Sequence, residues 1–411
     1  MFYIHGGAFV LGSGGNEWVG PDYFMDKRIV LVVINYRLGA LGFLSTADKW
    51  APGNNGLKDQ SLALRWVKDN IVYFGGDSNK ITVFGNSAGA ACAHYQMISP
   101  LSKELINRII VQSGSAYAHY AISTSEDARK HANQLGEYLD CSTTFSKDLI
   151  DCLKSVHAYQ IVKQETRFSS FDNQTTLPFR IVVESESDSA FLTEDPLITI
   201  RSGNVSSVPF MTGIVTEEGA YKAAGAFNKE ELLQWQNNEF DDIVTLTFGI
   251  AKDESRVSRS IKEFYFGNKA IDSSMKSQLT DMYTDGLFLW GLDATVRLHF
   301  KYSNQPVYQY LFGYRGSTSY SKLFGDPLHN YGVSHTDELL YLFPLKTTFP
   351  KYTPSRRDEK MIDLLTTLWT NFATTGKPTP ERSFLGPATW NPVQSENFEY
   401  YFIKDYNNLN M

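Results

Sequence analysis

The sequence predicts an α/β fold built on a doubly wound, mostly parallel sheet. Apolar runs of strand length alternate with segments whose apolar residues recur at helical spacing. One run, residues 29–34, is apolar throughout, which is typical of a strand buried on both faces of a parallel sheet. Glycine loops follow two of the predicted strands. Because ligands in such sheets bind beyond the carboxyl ends of the strands, these loops mark the predicted site.

The first part of the chain carries the clearest alternation of strands and helices. Residues 2–4 predict a strand, and the glycine loop 5–9 follows it. The next predicted elements are listed in chain order: a strand at 29–34, a helix at 57–71, a strand at 81–84, a helix at 90–98 and a strand at 106–112.

The remainder of the chain adds two predicted strands, at 208–215 and 307–312, and a predicted helix at 361–374 that Gly376 ends. We expect helical cap elements within about 123–203 and 227–300. No repeat, low-complexity tract or linker divides the sequence, so residues 1–411 are predicted to form a single domain.

Composition excludes several classes of protein. The chain has 411 residues and a formal net charge of −7 at pH 7. No run of Lys or Arg stands out, so we expect no nucleic-acid partner. No apolar run reaches the length of a membrane span. The sequence does not fix an oligomeric state.

A Gly-x-Ser-x-Gly corner occupies residues 85–89, between a predicted strand and a predicted helix. Gly85 and Gly89 lack the Cβ atoms that would clash in a tight strand-to-helix turn. Such a turn raises the Ser87 hydroxyl above the sheet and points a helix N-terminus at it, where negative charge is stabilised. The corner favours an acyl-transfer nucleophile, and a glycine turn around a buried serine is the alternative.

A serine nucleophile needs a base, usually histidine, and a carboxylate that orients the base. After a corner of this kind the chain order is serine, acid and then histidine. This order leaves His299, His329 and His335 among the eight histidines. His299 lies in a helical pattern. His335 lies in a loop before an apolar segment and is the favoured base, with His329 as the runner-up.

The acid and the oxyanion donors have local candidates. Glu217 and Glu218 follow the strand predicted at 208–215, and the local pattern does not choose between them. A tetrahedral intermediate also needs backbone N–H groups directed at its oxyanion. Ala88, directly after the serine, supplies one such group, and the loop 6–8 offers others.

Several motifs together resemble the type-B carboxylesterase family. Residues 74–89, Phe-Gly-Gly-Asp-Ser-Asn-Lys-Ile-Thr-Val-Phe-Gly-Asn-Ser-Ala-Gly, follow its nucleophile signature closely. Further stretches that look like family landmarks are 35–39, 53–60, 112–115, 332–335 and 369–376. The resemblance covers nearly the whole chain and implies the α/β-hydrolase fold, with a serine carboxylic-ester hydrolase activity on a small-molecule ester.

The resemblance also implies roles for individual residues. It makes Ser87 the nucleophile, His335 the base and Glu218 the acid, because the family's Gly-x-x-x-x-Glu-Gly motif falls on 213–219. The other implied residues are the oxyanion donors Gly7, Ala8 and Ala88, and the disulfide pair Cys141 and Cys152. It implies no metal and no organic cofactor. The pattern looks most like insect esterases, whose substrates include hormone, odorant, dietary and xenobiotic esters.

Three features set the remaining expectations. Asn86 stands where cholinesterases carry Glu, which argues against choline esters, and Ala8 replaces a glycine but keeps its N–H. The implied disulfide and the sequons at Asn173 and Asn204 suggest a secreted glycoprotein. The chain begins where the family is already within its sheet, which suggests an N-terminal truncation that removed a signal peptide. The alternatives are a non-catalytic adhesion protein of the neuroligin-like branch and an inactive truncated fragment.

Overall fold

One eight-stranded sheet runs through the part of the chain that the computed structural model describes, which is residues 1–168, 177–251, 254–380, 389–405 and 409–410. Its strands are β1 (Phe2–Ile4), β2 (Val32–Val33), β3 (Thr82–Asn86), β4 (Arg108–Gln112), β5 (Phe210–Val215), β6 (Val307–Phe312), β7 (Tyr401–Ile403) and β8 (Leu409–Asn410). The spatial order is β2-β1-β3-β4-β5-β6-β7-β8. All neighbouring pairs are parallel except β7 and β8. The predicted mostly parallel sheet is confirmed.

Helices fill the connections between the strands. They are α1 (Gly39–Phe43), α2 (Asn55–Asn70), α3 (Ala88–Ile98), α4 (Ser125–Tyr138), α5 (Ser146–Ser155), α6 (Ala158–Gln164), α7 (Pro196–Arg201), α8 (Ala220–Asn228), α9 (Glu230–Asn238), α10 (Phe240–Phe248), α11 (Ser255–Phe266), α12 (Lys276–Thr284), α13 (Trp290–Tyr302) and α14 (Arg356–Thr375). A π-helical turn, Asp285–Leu289, joins α12 to α13, and a 3-10 helix spans Asp337–Tyr341. Helices α4 to α7 fall within 123–203, α9 to α12 fall within 227–300, and α13 begins in the second range and ends just beyond it.

The sheet separates two apolar clusters, one on each face. In β1, Phe2 and Ile4 belong to one cluster and Tyr3 belongs to the other, because successive side chains of a strand point to opposite faces. The first cluster includes the alanines of α3, and the second includes Leu364 and Trp369 of α14. Helices therefore cover both faces, as a doubly wound sheet requires.

Helix α14 shows how local sequence sets an element's limits. The Ser355 hydroxyl accepts from the Asp358 backbone N–H, and the Asp358 carboxylate accepts from the Ser355 N–H, which forms a capping box. Gly376 ends the helix with a φ of 79°, a conformation that glycine adopts without steric cost. The observed helix extends the predicted one by a turn at its N-terminal end.

The expectation that the run 29–34 is a strand buried on both faces was wrong. The run 29–34 forms a strand only at Val32–Val33, and these residues are partly exposed because β2 lies at the edge of the sheet beside β1 alone. Helix α2 leaves two of its apolar residues in solvent, since Leu62 is 72% exposed and Trp66 is 50% exposed. The short strand β7 was not predicted at all.

The implied disulfide is present. Cys141, which follows α4, is bonded to Cys152 of α5, with their Cα atoms 5.8 Å apart. The bond closes a loop between two helices and restricts the unfolded chain. Among the described residues, none of the helices combines the length and the apolarity that a membrane crossing needs.

Candidate active site

Ser87 lies in a sharp turn between β3 and α3. Its backbone has φ 59° and ψ −127°, a strained conformation of the kind that concentrates at functional sites. The turn is tight because a Cβ on Gly89 would lie 2.2 Å from the carbonyl oxygen of Ile4. The Ser87 N–H donates to the Gln112 carbonyl oxygen at 2.8 Å, which fixes the turn to β4. The sequence therefore forms the predicted strand–corner–helix unit.

His335 connects the serine to a carboxylate. Its Nε2 lies 2.9 Å from Ser87 Oγ, and its Nδ1 lies 2.5 Å from Glu218 Oε2. The second carboxylate oxygen of Glu218, Oε1, accepts from the Val215 N–H at 3.0 Å. Glu218 is 0% exposed and His335 is 4% exposed, so water does not compete for these bonds.

The hydrogen-bond partners fix the protonation pattern of a neutral imidazole. The Glu218 carboxylate can only accept, so Nδ1 of His335 carries the proton and donates it. Nε2 is then free to accept from the Ser87 hydroxyl. In this arrangement the imidazole can take a proton from the serine while the carboxylate stabilises the imidazolium that forms.

The other sequence candidates for base and acid lie elsewhere. Glu217 Oε2 accepts from the Val333 N–H at 2.6 Å, so this carboxylate holds the loop before His335 rather than its imidazole. His329 Nδ1 lies 2.7 Å from Asp326 Oδ2, and its side chain is 58% exposed. Neither residue reaches the serine hydroxyl.

The glycine loop after β1 lies against the corner. A Cβ on Gly6 would lie 2.6 Å from the Asn86 carbonyl oxygen and 3.2 Å from Ser87 Cβ. Gly7 and Ala8 follow in left-handed conformations, with φ values of 118° and 53°. Among the described residues, the backbone N–H groups of Gly7, Ala8 and Ala88 have no acceptor. The loop and the start of α3 thus present unpaired donors near the serine.

Aromatic side chains surround the imidazole. The Phe288 ring centroid lies 4.6 Å from that of His335, and the Tyr221 centroid lies 5.5 Å away. Phe288 comes from the π-helical turn between α12 and α13, a type of irregularity that is frequent at functional sites. Tyr120 packs on Phe288 at 6.2 Å, and its buried hydroxyl has no partner among the described residues. Aromatic rings therefore flank the imidazole on this side of the site.

A buried polar network behind the serine was missed by sequence reasoning. The Asn86 amide nitrogen donates to Glu338 Oε1 at 2.6 Å, and the Gln112 amide nitrogen donates to the same atom at 3.1 Å. Trp369 Nε1 donates to Gln112 Oε1 at 3.0 Å. The only sequence signal was that Glu338 follows His335 by three residues, which the apolar pattern around it obscured.

Two further histidines are also buried, and they pair with each other. His94 Nε2 and His299 Nε2 are 2.9 Å apart, and the Ala116 N–H donates to His94 Nδ1 at 3.1 Å. Burial lowers the pKa of His299 to about 3 and also lowers that of His94. Both rings are therefore neutral. Within the described residues, no group of three or more metal-ligating side chains is present.

Comparison with known proteins shows which family the chain is part of. The model of the carboxylesterase family matches residues 1–410. The chain belongs to the carboxylesterase family. The juvenile hormone esterase of Tribolium castaneum is 35% identical over 424 residues, which cover 99% of this chain and 71% of that protein. Venom carboxylesterase-6 of Apis mellifera is 38% identical over 420 residues, which cover 100% and 73% respectively.

A solved structure shows the same fold. The crystal structure of juvenile hormone esterase from Manduca sexta, with OTFP covalently attached, superposes with a TM-score of 0.87 and 25% sequence identity. The match covers 100% of this chain and 76% of the other. The chain therefore has the α/β-hydrolase fold and is a carboxylic ester hydrolase. The predicted family and fold are confirmed.

Proposed function

We propose that this esterase works through a triad of Ser87, His335 and Glu218 and forms an acyl-enzyme intermediate. The observation that carries the proposal is the continuous hydrogen-bonded line from the serine hydroxyl through the imidazole to a buried carboxylate. Three residues far apart in the chain meet in the order and geometry that nucleophilic catalysis needs.

In the first half-reaction, Ser87 Oγ attacks the ester carbonyl carbon while His335 Nε2 takes the hydroxyl proton. The carbonyl oxygen becomes an oxyanion, which the N–H groups of Gly7, Ala8 and Ala88 stabilise. The tetrahedral intermediate collapses, the bond to the alcohol oxygen breaks, and His335 gives its proton to that oxygen. The acyl group remains on the serine.

In the second half-reaction, His335 takes a proton from water and the resulting hydroxide attacks the acyl carbon. Collapse of this second intermediate breaks the bond to Ser87 Oγ, which regains the proton from His335. Glu218 keeps the imidazole in one tautomer throughout and stabilises its charged form. The products are a carboxylic acid and an alcohol.

A non-catalytic adhesion role is the alternative from another class of function. It would not require a strained serine hydrogen-bonded to a histidine whose other nitrogen meets a buried carboxylate. No specific contact of the described residues favours it over esterase activity.

Turnover of a short-chain aryl ester by the wild type and by Ser87→Ala tests the proposal. We expect the variant to lose at least about three orders of magnitude in kcat, because it lacks the hydroxyl that attacks the ester. Ser113→Ala is a matched control, since Ser113 is also buried and its hydroxyl has no partner among the described residues. Equal turnover by Ser87→Ala and wild type would contradict the triad.

The aromatic side chains near the triad and the similar proteins both support a proposal about the class of ester that is the physiological substrate. Hormone, odorant, dietary and xenobiotic esters all match a site lined by Phe288, Tyr120 and Tyr221, and the juvenile hormone esterases among the relatives favour a hormone ester. A panel of esters that varies acyl and alcohol length separately would rank these classes. A uniform rate across the panel would contradict a selective hormone esterase.

We further propose that the protein is secreted and glycosylated, and that it acts as one domain with α4 to α7 and α9 to α13 as the cap. The disulfide supports an oxidising compartment. Asn204 is exposed, as a glycan acceptor must be, whereas Asn173 lies outside the described residues. Mass spectrometry of protein secreted from insect cells tests both sites. Protein retained inside the cells without glycans would contradict this proposal.

A further inference from the structure

A second acidic side chain, Glu338, is buried close to the triad. It is 0% exposed and lies in the 3-10 helix three residues after His335. Its Oε1 accepts from the side-chain amides of Asn86 and Gln112, at 2.6 and 3.1 Å. Its Oε2 is buried and has no partner among the described residues. The carboxyl group therefore contacts the nucleophile corner through one oxygen only.

These contacts connect the chain segment of Ser87 to the chain segment of His335. Asn86 directly precedes Ser87, and the Gln112 carbonyl oxygen accepts from the Ser87 N–H. Gln112 is held in turn by Trp369 of α14. Glu338 thus links both neighbours of the serine to the segment that carries the histidine, across 252 residues of sequence in the case of Asn86.

The surroundings of Glu338 disfavour its charged form. Burial raises the pKa of Glu338, the Glu218 carboxylate also raises it, and the charge of protonated His335 lowers it, which leaves the pKa at about 7. The other titratable groups that face it are the hydroxyls of Tyr3, Tyr310 and Tyr320, which are neutral. A glutamine could therefore replace the neutral acid, because its Oε1 keeps the same acceptor.

We propose that Glu338 is a positioning residue of the esterase, whose Oε1 holds Asn86 and Gln112 and so fixes the serine corner against the His335 loop. This inference rests on the triad proposed above. Loss of the acceptor releases two buried amides and lets the corner move relative to the imidazole. Displacements of about 1 Å at such a pair can cost about a hundredfold in rate.

The test compares Glu338→Ala with Glu338→Gln on a short-chain aryl ester over a range of pH. We expect Glu338→Ala to lower kcat/KM by at least about tenfold at every pH, because Asn86 and Gln112 lose their acceptor. We expect Glu338→Gln to restore the rate to within about threefold of the wild type below pH 7, because it keeps the acceptor.

The pH profile separates positioning from a purely structural role. The pKa of Glu338 is about 7, so in the wild type its ionisation places a buried negative charge beside the serine corner above that pH, whereas glutamine stays neutral at every pH. The ratio of the wild-type kcat/KM to that of Glu338→Gln should therefore change across pH 7. Glu359→Gln, an exposed change in the first turn of α14, is the matched control and should leave the profile unchanged.

Thermal melting shows whether each variant is folded, and Ser87→Ala tests the triad separately. Two results would overturn the inference while leaving the triad intact: an unchanged rate in Glu338→Ala, or a ratio of wild-type to Glu338→Gln kcat/KM that stays constant across pH 7 although the variant is folded. A loss in Glu338→Gln as large as in Glu338→Ala would also overturn it, since the acceptor would then not be the essential feature. Wild-type turnover by Ser87→Ala would instead remove the triad itself.

Discussion

Two buried histidine clusters in this protein differ in their partners rather than in their burial. His335 and His299 each pack on a phenylalanine ring, at centroid distances of 4.6 Å to Phe288 and 4.2 Å to Phe210. His335 has a carboxylate at one nitrogen and a serine hydroxyl at the other. Among the described residues, the hydrogen-bond partner of the His299 ring is another imidazole, that of His94. The comparison shows that burial and aromatic packing alone do not create a base.

The physical difference lies in which charge each cluster can hold. Glu218 can stabilise an imidazolium at His335, so a proton can arrive there during the proposed reaction. At His94 the Ala116 N–H requires an unprotonated Nδ1, so the proton sits on Nε2 and is donated to His299 Nε2. A proton added to this pair meets burial and a second ring without a carboxylate, so the pair stays neutral.

The largest expected effect comes from removing the carboxylate that distinguishes the two clusters. We expect Glu218→Gln to lower kcat by about three orders of magnitude, because an amide can hold the imidazole in the wrong tautomer. Glu217→Gln is the matched control and should stay within about threefold, since its acceptor role toward Val333 survives. Steady-state kinetics on one aryl ester measures both variants. Equal losses would contradict the assignment of Glu218.

The next largest effect is expected at the neutral pair of His94 and His299, and it is an effect on stability rather than on rate. We expect His299→Phe to lower the free energy of unfolding at pH 8 by about 1–3 kcal/mol, because the His94 Nε2–H loses its acceptor. The rate of the folded variant should not change. Urea unfolding with parallel kinetics measures both quantities.

The same variant has a signed pH dependence. The pKa of His299 falls from an ordinary 6.5 to about 3 on folding, so the unfolded chain binds more protons between these values. Wild-type stability should therefore decrease as pH falls from 6.5 toward 3. In His299→Phe this decrease should be shallower. An identical slope in both proteins would show that His299 does not titrate on unfolding.

A smaller effect tests the two phenylalanines that pack on the histidines. We expect Phe288→Leu to raise kcat/KM for bulky acyl groups relative to acetyl esters by a few fold, because it removes part of a wall beside His335. Phe210→Leu should leave this ratio unchanged and cost about 1 kcal/mol of stability from the lost ring contact. A change of acyl preference in both variants would mean that the two clusters are not separate.

The smallest expected effect is at Tyr120. Its buried hydroxyl has no partner among the described residues, so Tyr120→Phe removes an unsatisfied group. We expect stability to stay the same or to rise by up to about 1 kcal/mol, with kcat within about twofold. Thermal melting and the aryl ester assay check this. A clear loss of stability would show that the hydroxyl has a partner in solution.

The sequence by itself determined the elements whose signals are local. Strand β6 has the predicted limits, and the corner at Ser87 forms between the predicted strand and helix. These features depend on apolar runs, on glycines without Cβ atoms and on a helix that starts directly after the serine. The family resemblance added the disulfide between Cys141 and Cys152, which the structure contains.

The tertiary structure decided what depends on contacts between distant segments. Local reasoning left Glu217 and Glu218 open, because adjacent side chains differ only in the direction that the folded backbone gives them. Glu217 bridges to the loop before His335 and binds the Val333 N–H, which leaves Glu218 to face the imidazole. The contact of Glu338 with the serine corner could be recognised only in the folded structure, which brings its carboxyl group against Asn86. Such partners have no local pattern, since the spacing between them is set by the whole sheet.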